Sequence, residues 1–293
     1  MKLFTPKNLR FFINTFITKK ITYLPSMVLV RLSRKLRFKN FKSSEEMILV
    51  NNCMGTIKME VDKNSYMGGS IYWSGFHHIN EMLYLKSFLK PEMTFIDIGA
   101  NQGEFSLFAA SKLTKGKVIS FEPVKKQYNY FVKNIELNQF KNIELNHYGL
   151  SNEVGKLPIY TSNKPELHGG VHEGLSTLYK SGERVDFEQT VDLKIFDEEY
   201  LDKLSRIDFV KIDIEGAELF ALKGMQKHIE KFRPDILIEI NDDTFTAAGY
   251  TVNDVLDFLT IFNYKPYKLH RGQISKHNNV FSDWGNYIFK SEM

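Results

Sequence analysis

Between Thr94 and Phe262 the apolar residues alternate between short unbroken runs and longer stretches with helical spacing. Thr94–Ile98, Lys117–Phe121, Ile143–His147, Phe209–Ile212 and Ile236–Ile240 read as strands. Phe105–Leu113, Lys125–Asn138, Ala217–Lys223 and Val252–Phe262 read as helices set among them. Short apolar strands alternating with helices predict a parallel sheet covered on both faces. Two further strand signals, Tyr264–Leu269 and Asn286–Lys290, have no helix between them and predict an antiparallel edge hairpin. Upstream, Met47–Val50 and Thr56–Val61 read as two strands around an Asn52–Gly55 turn. His77–Leu89 reads as a helix that packs through Ile79, Met82, Leu83 and Leu85 and is closed by Pro91. Residues 46–293 are therefore expected to form one α/β domain.

Residues 1–45 follow another pattern. Leu9, Phe12, Ile13, Phe16 and Ile17 recur at helical spacing after Pro6, and Val28, Leu29, Leu32 and Leu36 line a second amphipathic stretch. Residues 1–42 carry eleven basic residues and no acid, whereas the rest carries 28 basic against 35 acidic residues. The net charge of +4 thus belongs to this arm, and it gives no argument for a nucleic-acid-binding fold. Three readings stay open for the arm. It packs its apolar stripe on the domain, lies on an anionic membrane, or is an organellar targeting peptide. No run approaches the ~20 apolar residues of a membrane-spanning helix. The single cysteine, Cys53, excludes an internal disulfide and fits a cytoplasmic protein, peripheral to the membrane if the arm binds lipid.

The chemistry concentrates at the strand ends. Phe95-Ile96-Asp97-Ile98-Gly99-Ala100-Asn101-Gln102-Gly103-Glu104-Phe105 is an apolar strand, a glycine-bearing turn and a helix start. In an open parallel sheet, ligands bind outside the carboxyl ends of the strands. Glycines there let backbone approach a ligand closely. A dinucleotide fingerprint needs a third glycine that is missing here. Asp97 also suits a cationic ligand better than a pyrophosphate. Glu122, ending the next strand before Pro123, is placed to accept the ribose hydroxyls of an adenosine. Lys211-Ile212-Asp213-Ile214-Glu215-Gly216-Ala217-Glu218 delivers more carboxylates to the same edge. One of Glu215 and Glu218 is expected simply to complement the dipole of the following helix.

These three segments, Phe95–Phe105, Ser120–Pro123 and Lys211–Glu218, resemble the FkbM-type methyltransferases, and the likeness extends from about Glu81 to Glu239. The resemblance implies a class I methyltransferase fold, a Rossmann-like seven-stranded sheet, with S-adenosylmethionine as cofactor. It also implies O-methylation of a hydroxyl on a sugar, glycan, lipid or polyketide-like acceptor. Cofactor contacts are then expected from Asp97, Gly99, Ala100, Asn101, Gly103, Phe105, Ser106, Glu122, Pro123, Gly149 and Asp213. Gly174-Leu175-Ser176-Thr177-Leu178 matches a family loop, with Thr177 in place of a usual serine, and Gly149 replaces a frequent alanine.

Methyl transfer to an alcohol needs in-line positioning and a general base. Asp213 is the first candidate, with Glu239, Glu215 and a histidine behind it. Asp213, Glu239 and Asn241 would alternatively offer oxygen ligands to magnesium or another divalent cation. His168 and His172 sit in a glycine-rich stretch read as a loop over the cleft or a plain solvent loop. His77 and His78 are expected to pack or cap. Two other classes remain: a protein that binds S-adenosylmethionine without catalysing, and an NAD-dependent oxidoreductase.

Overall fold

The computed structural model describes residues 45–161, 176–180, 184–278, 281 and 284–292. The two amphipathic stretches before residue 45 and the His168–His172 segment, with Gly174 and Leu175, lie outside the described residues.

An N-terminal hairpin, β1 (Met47–Cys53) and β2 (Ile57–Asp62), leads into α1 (Tyr66–Ser74) and α2 (Ile79–Phe88). Then come β3 (Thr94–Ile98), α3 (Glu104–Lys112), β4 (Lys117–Phe121), α4 (Lys125–Asn138) and β5 (Ile143–Asn146). Three strands follow, β6 (Gly149–Leu150), β7 (Gly155–Thr161) and β8 (Asp186–Lys194), and then α5 (Phe196–Glu199). The second half runs β9 (Phe209–Ile212), α6 (Glu218–Gly224), α7 (Gln226–Phe232), β10 (Asp235–Asn241), α8 (Asp242–Ala247) and α9 (Val252–Ile261). It closes with β11 (Tyr264–His270), β12 (Gln273–Lys276) and β13 (Trp284–Ser291).

The main sheet has the order β12-β11-β13-β10-β9-β3-β4-β5. The five strands from β10 to β5 are parallel, as the apolar runs predict. β13 does pair antiparallel with β11, but it is not the edge, because it inserts between β11 and β10 and is antiparallel to both. The edge is β12, a short strand after a two-residue turn, so eight strands are present where seven were expected. Its residues are mostly exposed, and so it left no apolar run to read.

Alternation splits the sheet's side chains between two cores. Ile96, Ile98, Ile119, Phe121, Val210, Ile212, Ile236, Ile238 and Ile240 pack with Leu219, Leu222, Ile229, Val255 and Leu259 of α6, α7 and α9. Phe95, Val118, Phe209, Leu237 and Ile288 face the other way, onto Ile71, Met82, Leu85, Leu107 and Phe108 of α1, α2 and α3. On this second face Asp97, Ser120 and Lys211 are buried polar residues near the carboxyl ends of their strands. Polar groups placed there, within an otherwise apolar layer, mark the site.

The α1 helix has no counterpart in the sequence reading, because Gly68 and Gly69 lower its intrinsic propensity by about 1 kcal/mol each. It is started by the Ser65 hydroxyl, which accepts from the Gly68 N–H at 3.0 Å, and ended by Gly75. A separate sheet of order β6-β8-β7 hangs beside the carboxyl end of β4. The N-terminal hairpin is fixed to α4 by Asn134 and Asn138, whose side chains bond the backbone of Glu60 and Lys58.

Candidate active site

The β3–α3 turn is built around a buried ion pair. Asp97 is fully buried; its Oδ2 accepts from the Ser106 hydroxyl at 2.5 Å, and Ser106 is 2.8 Å from Ser120. Lys211 stands opposite Asp97 in the β3–β9 ladder. Its Nζ is 3.5 Å from Asp97 Oδ1, 3.5 Å from Asp213 Oδ2, and donates to the Gly99 carbonyl at 2.6 Å. It also lies 5.4 Å from the centre of the Phe105 ring. Burial works against the Lys211 charge, but Asp213 and Asp97 outweigh it and raise the pKa above the usual lysine range. Burial raises the Asp97 pKa, with Lys211 pulling against it. Asp97 Oδ1 is buried and accepts no hydrogen bond.

The glycines of this turn have packing reasons of their own. A Cβ on Gly99, whose φ is +79°, would sit 2.0 Å from the Asp213 carbonyl oxygen. One on Gly103, with φ +93°, would sit 2.3 Å from the Phe131 ring. Asn101 between them is also left-handed, with φ 50°, and its side chain accepts from the Gln102 N–H. The turn is thus locked against β9 and α4. Gly99 and Ala100 both donate to the Phe121 carbonyl, which ties the turn to β4.

Glu122, just past β4, is buried. Its two oxygens accept separately from the N–H groups of Asn101 (2.7 Å) and Val124 (2.8 Å). Burial pushes its pKa up to about 7, against the pull of those two N–H groups. Glu122 therefore faces the β3–α3 turn. Pro123 and Gly149 lie at the joint with the three-stranded sheet, where the Pro123 carbonyl accepts from Gln189 and Gly149 is tight against Leu193.

The loop after β9 separates its carboxylates by role. Glu218 accepts from the N–H groups of Ile214 and Gly216, both at 2.9 Å, and from the Tyr250 hydroxyl at 3.2 Å. Glu218 is thus the structural acid of the pair, holding the loop rather than merely facing a helix dipole. Glu215, in the left-handed region at φ 53°, turns the other way and pairs with Arg184 at 2.6 Å. Its carbonyl accepts from the Thr177 hydroxyl at 2.6 Å. So Thr177, a residue of the family-like loop, and Arg184 both tie the flank of the three-stranded sheet to the site.

Asp213, Glu215 and Glu239 converge, with one carboxylate oxygen of each within 4.8 Å of the others. Asp213 retains 26% side-chain exposure, whereas Glu215 and Glu239 are buried. Burial, and then Asp213, push the Glu215 pKa up to about 7 despite Arg184, and the same two causes raise Glu239 well above the carboxylate range. Glu239 accepts from the Trp284 indole N–H at 2.8 Å. Of the expected oxygen set, Asp213 and Glu239 come together, and Glu215 joins them. Asn241 is the N-cap residue of α8, and its backbone carbonyl, not its side-chain amide, accepts from Thr244.

His77 packs edge-on to Tyr66. His78 stands at the N-cap position of α2 without a side-chain cap bond, and the helix starts two residues later than its apolar spacing suggests. His78 Nδ1 lies 3.2 Å from Glu104, which also accepts from the His77 N–H at 2.5 Å. The roles of Lys211, Arg184, Glu218 and Trp284 had no separate signal in the sequence. Lys211 alone could have been singled out, as a charge inside an apolar strand.

The fold, a mainly parallel sheet with one inserted antiparallel strand, is that of a class I methyltransferase, and acids stand at or just past the ends of four neighbouring strands. The match to the methyltransferase FkbM domain covers residues 97–266, and the chain belongs to that family. It is 33% identical over 174 residues to "Methyltransferase sdnD" of Sordaria araneosa, covering 51% of this chain and 67% of that protein. It is 26% identical over 172 residues to "Methyltransferase 1" of Beauveria bassiana, covering 52% and 66%. Among solved structures, a methyltransferase FkbM from Methylobacillus flagellatus KT aligns over 91% of this chain and 60% of its own length, at 15% identity and a TM-score of 0.48. The matched region therefore spans about two thirds of the two curated relatives.

Proposed function

We propose that this chain is an S-adenosylmethionine-dependent O-methyltransferase acting on a hydroxyl of a sugar, glycan, lipid or polyketide-like acceptor. The observation that carries the reading is the half-open Asp213 carboxylate, one strand from the Asp97–Gly103 turn and beside Glu239. The cofactor fits the residues present. Asp97, paired with Lys211 at 3.5 Å, sets carboxylate charge beneath the turn where the cofactor's ammonium would lie, and Glu122 brings a carboxylate to the adenosine side. The cofactor would supply an activated methyl group on a sulfonium. Asp97, the Gly99–Gly103 backbone and Glu122 would hold it, with Phe105, Ser106, Pro123 and Gly149 around them.

Asp213 would take the acceptor's hydroxyl proton as the general base. Lys211, 3.5 Å from Asp213, orients that carboxylate. Burial, and then Asp213, raise the Glu239 pKa well above the carboxylate range, and its carboxylate is held by the Trp284 N–H. A second reading has Asp213, Glu215 and Glu239 hold a divalent cation such as magnesium, which their convergence favours. The test is transfer of labelled methyl from S-adenosylmethionine to a glycan and lipid pool, read by mass spectrometry. Asp213→Asn should keep cofactor binding while turnover falls about 10²-fold or more. A fall under threefold removes Asp213 from the chemistry. Loss of wild-type turnover in EDTA, restored by magnesium, selects the cation.

No helix among the described residues is long and apolar enough to cross a membrane. We assign residues 1–45 to an arm separate from a 46–293 domain. On this reading the enzyme is cytoplasmic, and the arm's basic residues draw it to anionic lipid at ~1 kcal/mol each. Deleting residues 1–42 should abolish sedimentation with anionic liposomes and leave cofactor affinity intact.

A further inference from the structure

Trp284 opens β13 directly opposite Asn241, on the side of the sheet that carries Glu239. It is 61% exposed, among the most exposed large apolar side chains described, yet its orientation is fixed by the 2.8 Å bond from its N–H to Glu239. An indole held by its edge presents its flat face rather than its polar atom. The edge of Trp284 meets Glu239, whose carboxylate converges with those of Asp213 and Glu215. Resting on the acceptor reading given above, we infer that Trp284 is the platform of the acceptor site and that it selects a pyranose ring.

The chemistry on the two sides of the site matches such a ring. A pyranose has a C–H face that lies on an aromatic plane and an equatorial belt of hydroxyls that donate to carboxylates. A flat apolar acceptor would instead call for apolar walls on both sides. Across the strand pair Trp284 faces Asn241 and bonds Glu239, and Asn286 follows two residues on along its own strand. Stacking on Trp284 also brings a ring hydroxyl toward Asp213 by way of Glu239. Trp284 thus acts on specificity, and through its N–H it positions Glu239.

The two tryptophans of the chain can be told apart in solution, because Trp73 is buried. The experiment is a titration of the full-length protein, saturated with S-adenosylhomocysteine, with methyl glucoside, methyl galactoside and methyl mannoside pyranosides. Sorbitol and p-cresol serve as controls. At least one pyranoside should shift the red, acrylamide-quenchable emission toward the blue and lower its quenching about twofold or more. Trp284→Phe should lose that signal but keep pyranoside binding by calorimetry within about fivefold, whereas Trp284→Ala should weaken it more than tenfold. The inference is overturned if no pyranoside protects the exposed tryptophan, if p-cresol protects and pyranosides do not, or if Trp284→Ala binds as well as wild type. S-adenosylhomocysteine binding, measured first on each variant, tests the cofactor reading separately.

Discussion

Replacing Lys211 with Met tests whether the β3–α3 turn rests on a buried charge balance. The substitution keeps an unbranched chain of similar length and removes the ammonium that lies 3.5 Å from both Asp97 and Asp213 and 2.6 Å from the Gly99 carbonyl. Asp97 is then a buried carboxylate without a cation. Removing one partner of a buried pair costs about 3–5 kcal/mol. The loss depends on pH, because Asp97 escapes it by taking a proton. The Asp97 pKa is already raised by burial, and loss of Lys211 raises it further. A group whose folded pKa is raised stabilises below its unfolded pKa, and that contribution is lost as pH rises through the folded value. The variant's deficit should therefore grow with pH, by up to about 1.4 kcal/mol per unit while its Asp97 is protonated and the wild-type Asp97 is not. Urea unfolding of the cofactor-free protein, followed by circular dichroism at pH 5.5 and 8, measures it. We expect a deficit of about 3 kcal/mol at pH 8 and a clearly smaller one at pH 5.5. A deficit below about 1 kcal/mol at pH 8, or one equal at both values, would refute the charge-balance argument.

The wild-type protein should itself lose stability as pH rises from 6 to 8, since burial places the pKa of Glu122, Glu215 and Glu218 at about 7, above the unfolded value. Each such group contributes about 1.4 kcal/mol of loss over that interval, and a melting temperature that rises from pH 6 to pH 8 would contradict this. Glu218→Gln should leave one of the Ile214 and Gly216 N–H groups without an acceptor, at a cost of about 1–3 kcal/mol. Hydrogen exchange should quicken at these two amides before it does in β9, and unchanged protection there would count against the clamp.

Much of the fold was legible because its strands are buried on both faces. β4, α4 and β9 fall at the bounds that their apolar spacing predicts. What escaped was made of exposed or glycine-bearing residues: β12, the α1 helix and the three-stranded sheet, whose β7 and β8 are half open to solvent. In the site, the acids could be read from their places at strand ends, but their division of labour could not. Glu215 and Glu218 are three residues apart, and only the left-handed turn at Glu215 sends one toward Arg184 and the other back onto the loop. The glycines carry a similar lesson. Gly99 looked like a residue kept small for a ligand, yet its Cβ position is already taken by the Asp213 carbonyl at 2.0 Å. Gly99→Val would therefore disturb the fold as well as the site, and a side chain that faces the cofactor is the sounder probe.

Glu122 is the side chain that the proposed function sets toward the cofactor. Calorimetric titration of S-adenosylhomocysteine into the wild-type protein and Glu122→Gln, with NADH as the competing ligand, tests the cofactor assignment most directly. The account predicts saturable one-site binding of S-adenosylhomocysteine by the wild type and no heat from NADH. It also predicts affinity reduced about tenfold or more in Glu122→Gln, the worth of a charged hydrogen bond of about 1.5–3 kcal/mol. Binding of NADH but not S-adenosylhomocysteine, or undiminished S-adenosylhomocysteine affinity in a folded Glu122→Gln, would contradict it.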